Sequence, residues 1–185
     1  MQIIEAEIPD IKVVCTERHA DARGSFSETY HQLKFSDLGV SIDFVQDNHS
    51  VSVCPGTVRG LHFQKPPFAQ AKLVRVTRGA VLDVAVDLRR SSPTFGRHVT
   101  VHLSAENCNQ LFVPAGFAHG FCTLVPDTEV LYKVSNFYAP EYDSGVRWDD
   151  PELRIDWPVE AAAAVLSAKD LALPRFRDIV ACLPF

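Results

Sequence analysis

Short strand-like runs separated by turn signals fill the centre of this chain, and they constrain its fold more than any other feature. Two β-rich runs, Lys72–Thr77 and Ala80–Leu88, are separated only by Arg78-Gly79, which is a turn signal. Short strands punctuated by glycine and proline predict a mainly β fold, either a jelly roll or a barrel. Four more strand-like runs follow at close spacing, at His98–Leu103, Leu111–Val113, Gly120–Val125 and Glu129–Phe137.

The N-terminal part is predicted to add further strands. Residues 1–14, residues 23–30 and Val40–Val53 are strand-like, and Leu33–Leu38 is predicted to form a short helix closed by Gly39.

The C-terminal part has a different character. After Trp157-Pro158 the sequence is rich in Ala and Leu, so residues 159–185, including Ala161–Ala164, are predicted to form a helical tail. Because this tail is too short for a core of its own, we expect it to pack against the strands. The chain is therefore expected to form one domain over residues 1–185.

Composition and charge limit the class of protein. With 46% hydrophobic and 22% charged residues, the chain can bury a sizeable core. The net charge of −5, with no basic run longer than Arg89–Arg90, argues against nucleic acid as a partner but leaves room for a small anionic ligand. No apolar stretch approaches the roughly 20 residues that span a bilayer, and the N-terminus does not resemble a signal peptide. We therefore expect a soluble cytoplasmic protein that does not bind membranes.

Cysteine spacing argues against two further classes. The five cysteines are an odd number and form no CxxC pair, which fits neither a disulfide framework nor a zinc ribbon. They are predicted to be buried or half-buried thiols in a reducing compartment.

The segment Gly56–Gln64, GTVRGLHFQ, combines a basic and a titratable side chain on one predicted strand. Strict alternation would place Arg59 on one face, and Gly60 and His62 on the other. A lone histidine on a strand is a weak signal. Further imidazole and phenol groups, however, occur in Pro114–Phe121 and Val130–Tyr138, which are predicted to lie on neighbouring strands.

Polar groups recur on strand faces that otherwise look apolar. Lys72 aligns with two valines, so it either lies at a solvated strand end or points into a cavity. One face of Ala80–Leu88 is wholly apolar, while the other carries Asp83 and is expected to face water or a polar cavity. Tyr132 and Tyr138 share a face, either as core packing or as cavity lining. Strand parity thus allows His62, Lys72, Asp83, His119 and Tyr132 to share one interior, without showing that they converge.

From about Ile8 to Asp170 the chain resembles the dTDP-4-dehydrorhamnose 3,5-epimerases. The resemblance rests on eight segments in the same order: DARGSFSE at 21–28, FVQDNHS at 44–50, VRGLHFQ at 58–64, KLVRVTRGAVLDVAVDLRRSSPTFG at 72–96, LSAEN at 103–107, PAGFAHGF at 114–121, LYKVSNFYAP at 131–140 and LSAKD at 166–170. One departure is Ser50–Thr57, which is slightly longer than usual and contains Cys54-Pro55.

The resemblance implies a cupin-like jelly roll, also called a double-stranded β-helix, with short C-terminal helices. It also implies a homodimer that exchanges N-terminal strands, and no cofactor or metal. Gly60 stands where an HxH metal-binding pair would have its first histidine, so the ligand set for zinc or iron is incomplete.

The implied reaction is epimerisation of dTDP-4-dehydro-6-deoxy-D-glucose at C3 and C5, which gives dTDP-4-dehydro-L-rhamnose. By resemblance, His62 is the base, Asp170 orients it, Lys72 faces the C4 oxygen, His119 is held by Asp83, and Tyr132 is the proton donor. Positions implied to bind the nucleotide sugar are Arg23, Phe26, Glu28, Gln46, Asp47, Asn48, Arg59, Lys72, His119, Tyr138, Asp143 and Lys169. At the position of Asp143 the family often has Glu.

Two questions remain open, namely the role of Asp170 and the activity of the chain. Ser167-Ala168-Lys169-Asp170 also has the S-x-x-D pattern of a helix start, in which Asp170 would be a capping residue. A relative that inverts only C5 or only C3 would have nearly the same catalytic residues. A non-catalytic cupin-like binding protein is a further alternative to the 3,5-epimerase.

Overall fold

The computed structural model describes Met1–Phe185, and antiparallel strands make up most of its regular structure. The strands are β1 (Gln2–Glu5), β2 (Lys12–Cys15), β3 (His19–Asp21), β4 (Gly24–Phe26), β5 (Gln46–Ser52), β6 (Val58–Gln64), β7 (Lys72–Arg78), β8 (Ala80–Asp87), β9 (His98–Ser104), β10 (Asn109–Val113), β11 (Phe117–Thr123), β12 (Thr128–Val134) and β13 (Asp143–Gly145). The helices are α1 (Gln32–Asp37), α2 (Ala168–Leu171) and α3 (Phe176–Ile179), with 3₁₀ turns at Pro140–Tyr142 and Val180–Cys182.

The strands form two main sheets. One has the order β1-β2-β10-β7-β12-β5, and the other has the order β13-β6-β11-β8-β9. Strands β3 and β4 form a separate hairpin. This arrangement confirms the predicted mainly β fold.

The main core lies between the two sheets. Val74 and Leu111 from the first sheet pack with Val81, Ala85 and Phe121 from the second, and all five side chains are buried. Such interdigitated burial is the dominant favourable term in folding, at roughly 25 cal/mol for each Å² of apolar surface removed from water.

Strand β8 is buried on both faces, which corrects the expectation that one face meets water or a polar cavity. Val81 and Ala85 point into the main core, while Val84 and Val86 pack beneath the C-terminal tail in a second core. Phe176 belongs to that second core, so the tail packs on the strands as expected.

The N-terminal predictions are partly wrong. Residues 1–14 form two strands, β1 and β2, because the chain turns at Ile8–Ile11, where Pro9 cannot donate a ladder hydrogen bond. The strand-like stretches 23–30 and Val40–Val53 shrink to β4 and β5. The predicted short helix is present as α1, and Gly39 follows it with φ +80°.

The tail is less helical than predicted, since Ala161–Ala164 forms only a turn. The next residue, Val165, makes strand-like hydrogen bonds to Gly56 and Val58, and this tertiary pairing overrides the helix propensity of the alanines. None of the helices is long and apolar enough to cross a membrane.

All five cysteines are free. Cys54 and Cys182 are exposed, so the prediction that every thiol is at least half-buried is wrong for these two.

Candidate active site

Two adjoining cavities of about 410 and 330 Å³ lie between the sheets and the tail. His62, Lys72, Tyr132 and Lys169 line both of them. A separate cavity of about 380 Å³ near the N-terminus contains none of the predicted catalytic side chains.

A bulge in β6 brings Arg59 and His62 to the same cavity. Along β11 the step from His119 to Phe121 is two residues, yet it pairs with the three-residue step from His62 to Arg59. One extra residue in β6 reverses the alternation, so the prediction that Arg59 and His62 lie on opposite faces is wrong.

His62 is paired with a buried carboxylate. Its Nε2 lies 2.5 Å from Oδ1 of Asp170, a side chain that is 4% exposed. Burial raises the pKa of Asp170, but the hydrogen bonds from His62 and Ser167 outweigh it and lower the pKa below its usual value. The carboxylate therefore stays ionised, and it leaves Nδ1 of His62 as the nitrogen free to accept a proton.

The S-x-x-D pattern does start a helix, but its capping residue is Ser167 and not Asp170. Ser167 is the N-cap of α2 and accepts the Asp170 amide N–H at 3.1 Å, as the S-x-x-D pattern predicts. At the same time, the side chain of Asp170 serves His62.

A second histidine–carboxylate pair lies deeper. Nε2 of His119 is 2.8 Å from Oδ1 of Asp83, and both side chains are buried. Oδ2 of Asp83 has no hydrogen-bond partner, so this pair is held by a single contact. His119 lines the larger cavity, with Asp83 behind it.

Lys72 points into the cavity, which decides between its two readings. It is 8% exposed, and its Nζ donates to the carbonyl oxygen of His62 at 3.3 Å. Burial lowers the pKa of Lys72 to about 8, with Asp83 and Asp143 opposing the shift. A cation with so few partners is available to a developing negative charge.

Tyr132 lines both cavities from β12 and also packs against the main core. Core packing and cavity lining therefore both hold for this residue. Burial raises its pKa above 10, so the phenol keeps its proton at neutral pH.

The smaller cavity has a polar rim. The Oη of Tyr138 donates to Oδ2 of Asp143 at 3.1 Å, and Lys169 forms an ion pair with the same carboxylate. Burial lowers the pKa of Lys169, but the contact with Asp143 outweighs it and raises the pKa overall. Gln46 donates to Asn48 at 2.9 Å, and both line this cavity.

Four residues that were predicted to bind the nucleotide sugar line neither of these cavities. Arg23 and Phe26 are exposed on the β3–β4 hairpin, where Arg23 pairs with Asp21. The side chain of Glu28 pairs with Lys34 beside the N-terminal cavity. Asp47 points to Lys133, because it alternates with Gln46 and Asn48 along β5.

Sequence reasoning missed several lining residues. Ser50 and Phe121 could have been found, since they continue the parity of Asn48 and His119 along their strands. The wall formed by the tail could not, because nothing in its sequence shows that Val165 pairs with Thr57. The remaining missed side chains are Thr57, Val58, Val165, Leu166 and Ser167 in the larger cavity, and Phe63, Gln64 and Gln70 in the smaller one.

No group of three or more His, Cys, Asp or Glu side chains is arranged to hold a metal ion. What the cavity offers is a carboxylate-paired imidazole, a buried ammonium group and a neutral phenol around one space. These groups suit the removal and return of a proton next to a carbonyl.

The chain is similar in both sequence and fold to known epimerases. A family model described as dTDP-4-dehydrorhamnose 3,5-epimerase matches residues 5–178. The dTDP-4-dehydrorhamnose 3,5-epimerase of Pseudomonas aeruginosa is 49% identical over 185 residues, which cover 100% of both chains.

Solved structures give the same result. The epimerase from Bacillus anthracis, solved with TDP and PPi bound, is 51% identical with a TM-score of 0.92, over 95% of this chain and 99% of that one. The Legionella pneumophila enzyme, in complex with dTDP-4-keto-L-rhamnose, is 42% identical with a TM-score of 0.93, over 98% of this chain and 96% of that one. This close match confirms the expected cupin-like jelly roll. The chain belongs to the dTDP-4-dehydrorhamnose 3,5-epimerase family of isomerases.

Proposed function

We propose that this protein epimerises dTDP-4-dehydro-6-deoxy-D-glucose at C3 and C5, giving dTDP-4-dehydro-L-rhamnose for dTDP-L-rhamnose synthesis. One observation carries the proposal: a base and an acid face the same cavity from different sheets. His62 comes from β6 of the five-stranded sheet, and Tyr132 comes from β12 of the six-stranded sheet. Inversion at carbon needs proton removal on one face and proton return on the other.

His62 acts as the base. The C4 ketone acidifies the protons on C3 and C5, and an imidazole titrates in the range where it can accept them. The pairing with Asp170 fixes the ring and stabilises the imidazolium that forms. Positioned acid–base catalysis of this kind contributes about 10²–10⁴-fold.

Lys72 stabilises the enolate. It lies on β7, opposite His119 on β11, so the C4 oxygen would sit between the Lys72 ammonium group and the imidazole that Asp83 holds. A placed donor to a developing oxyanion contributes roughly 3–4 kcal/mol. Tyr132 then returns the proton, which its raised pKa keeps on the phenol until the carbanion is formed.

The smaller cavity and the exposed Arg59 bind the nucleotide part. Tyr138 offers an aromatic face for thymine, while Gln46, Asn48 and Lys169 provide donors near it. Arg59 is positioned for the diphosphate, where a guanidinium forms charge-assisted hydrogen bonds.

The active unit is a homodimer. The β3–β4 hairpin carries Arg23 and Phe26 but is exposed along its whole length, and Phe26 is 71% exposed. An exposed aromatic beside an exposed arginine suits a contact with the partner's cavity, where Arg23 would add a second cation for the diphosphate.

The direct test is NMR of the sugar after incubation with the proposed substrate in D₂O. The 3,5-epimerase exchanges and inverts both C3 and C5, a mono-epimerase inverts one of them, and a binding protein inverts neither. His62→Ala should abolish exchange at both positions, whereas His102→Ala, at an exposed histidine on β9, should leave it unchanged. Exchange at nearly the wild-type rate in His62→Ala would remove that residue from the mechanism.

A further inference from the structure

Ser167 holds the carboxylate that holds the proposed base. Its Oγ donates to Oδ2 of Asp170 at 2.9 Å, and Oδ1 of the same carboxylate lies 2.5 Å from Nε2 of His62. A line of three side chains therefore runs from α2 to the cavity face of β6. Asp170 is buried between the other two members.

The direction of the hydroxyl proton follows from the backbone. The amide N–H of Asp170 donates to the Ser167 oxygen at 3.1 Å, so that oxygen is already an acceptor. A serine hydroxyl has one proton to give, and the ionised carboxylate oxygen is the acceptor within reach. The serine therefore caps the helix with its lone pair and binds the carboxylate with its proton.

We propose that Ser167 is a positioning residue for the reaction: it fixes the Asp170 carboxylate, and through it the orientation and basicity of His62. The inference rests on the function proposed above. Its separate support is that the hydroxyl occupies the one Asp170 oxygen that His62 does not use. The hydrogen bond from Ser167 also contributes to the lowered pKa of Asp170.

Loss of the Ser167 hydroxyl should change the pH dependence of the reaction. A donor on Oδ2 neutralises part of the carboxylate charge, so its loss leaves more negative charge facing His62 and stabilises the imidazolium form. The acidic limb of kcat/KM should then move to higher pH. The other charged or titratable groups that face His62 stay in place in the variants. They are His119 on β11, Lys72 on β7, Tyr132 on β12, Tyr138 after β12, Asp143 on β13, Lys169 on α2 and Arg59 on β6.

Three substitutions separate the two roles of the hydroxyl. Ser167→Thr keeps both the cap acceptor and the donor. Ser167→Gly keeps a residue that is well tolerated at the N-cap, but it has no hydroxyl to donate to Asp170. Ser167→Ala removes the hydroxyl and is also a poor N-cap residue. If the serine matters only as a cap, Ser167→Gly should behave almost like wild type.

We expect kcat to fall about ten- to hundredfold in Ser167→Ala and Ser167→Gly, as for loss of a hydrogen bond to a charged group, and to be retained in Ser167→Thr. The acidic limb should rise by roughly half to one pH unit in both impaired variants. NMR titration of the His62 ring in the unliganded variants should show the same displacement without relying on turnover.

Two results would overturn the inference. One is wild-type kcat with an unmoved acidic limb and an unmoved His62 titration in Ser167→Gly, which would reduce the serine to a helix cap. The other is a raised KM with unchanged kcat and an unmoved limb in Ser167→Ala, which would make it a substrate contact, since Ser167 also lines the larger cavity. If the wild-type protein fails to turn over the sugar, the proposed function fails, while the His62 titration still tests the link through Asp170.

Discussion

The backbones of Gly60 and Gly120 are in close contact where β6 pairs with β11. A Cβ atom added at Gly60 would come within 2.6 Å of the Cα of Gly120. The same two strands carry His62 and His119, which pair with each other at one end of the bulge. Gly60 also has φ +132°, a conformation that L-residues rarely adopt.

Substitution of Gly60 should therefore be costly. Gly60→Ala combines an unfavourable φ with overpacking against backbone, and we expect it to lower the free energy of unfolding by about 3 kcal/mol. Gly24→Ala is a matched control, because Gly24 has φ +133° but nothing within 4 Å of an added Cβ. That variant should lose only about 1 kcal/mol. Urea unfolding measures both, and equal losses would show that the contact with Gly120 carries no energy.

The burial of Lys72 predicts an alkaline limit to activity. An amine is charged below its pKa and neutral above it, and burial lowers the pKa of Lys72 to about 8. Because the enolate needs the cation, kcat/KM should fall tenfold per unit above about pH 8. Lys72→Arg keeps its charge throughout this range, so its profile should lack this limb even if its rate is reduced. If Lys72→Arg shows the same fall in kcat/KM above pH 8, another group is responsible for it.

Tyr132 should affect inversion more than exchange. In Tyr132→Phe the base can still form the enolate and return solvent deuterium to the same face, so net inversion should fall about 10²–10⁴-fold while isotope wash-in falls less. Tyr142→Phe is the control, because Tyr142 packs on Phe68 and lines neither cavity. Equal loss of wash-in and inversion in Tyr132→Phe would instead indicate a role in binding or enolate formation.

Much of the fold could be predicted because its signals are local. The turn at Arg78-Gly79 separates β7 from β8, and the helix before Gly39 is present, since both depend on a few adjacent residues. Lys72 and Asp83 were unusual on their strands, and each has a partner or a cavity in the structure. A polar group at an apolar position is informative because burying it without a hydrogen-bond partner costs free energy.

What could not be predicted depends on contacts distant in sequence. The bulge that puts Arg59 beside His62 is a property of the pairing of β6 with β11. A glycine inside a strand such as Gly60 hints at a bulge, but the sequence alone does not show which residues face the cavity. The bridge between Thr57 and Val165 likewise determines that the alanines before Val165 form a turn and not a helix. The dual role of Ser167-x-x-Asp170 required the position of His62, 108 residues away from Asp170.

The proposed dimer can be tested by complementation between inactive chains. Light scattering should give a mass of two chains, twice 20.5 kDa. If Arg23 of one chain serves the cavity of the other, Arg23→Ala inactivates the partner's site and His62→Ala inactivates its own. A mixed dimer of the two variants then has one site with both residues intact. Mixing the variants under conditions that exchange subunits should restore roughly a quarter of wild-type activity, since half of the dimers are mixed and each has one working site. No recovery despite demonstrated mixed dimers would place Arg23 outside the partner's site, and a fully active monomer would defeat the proposal.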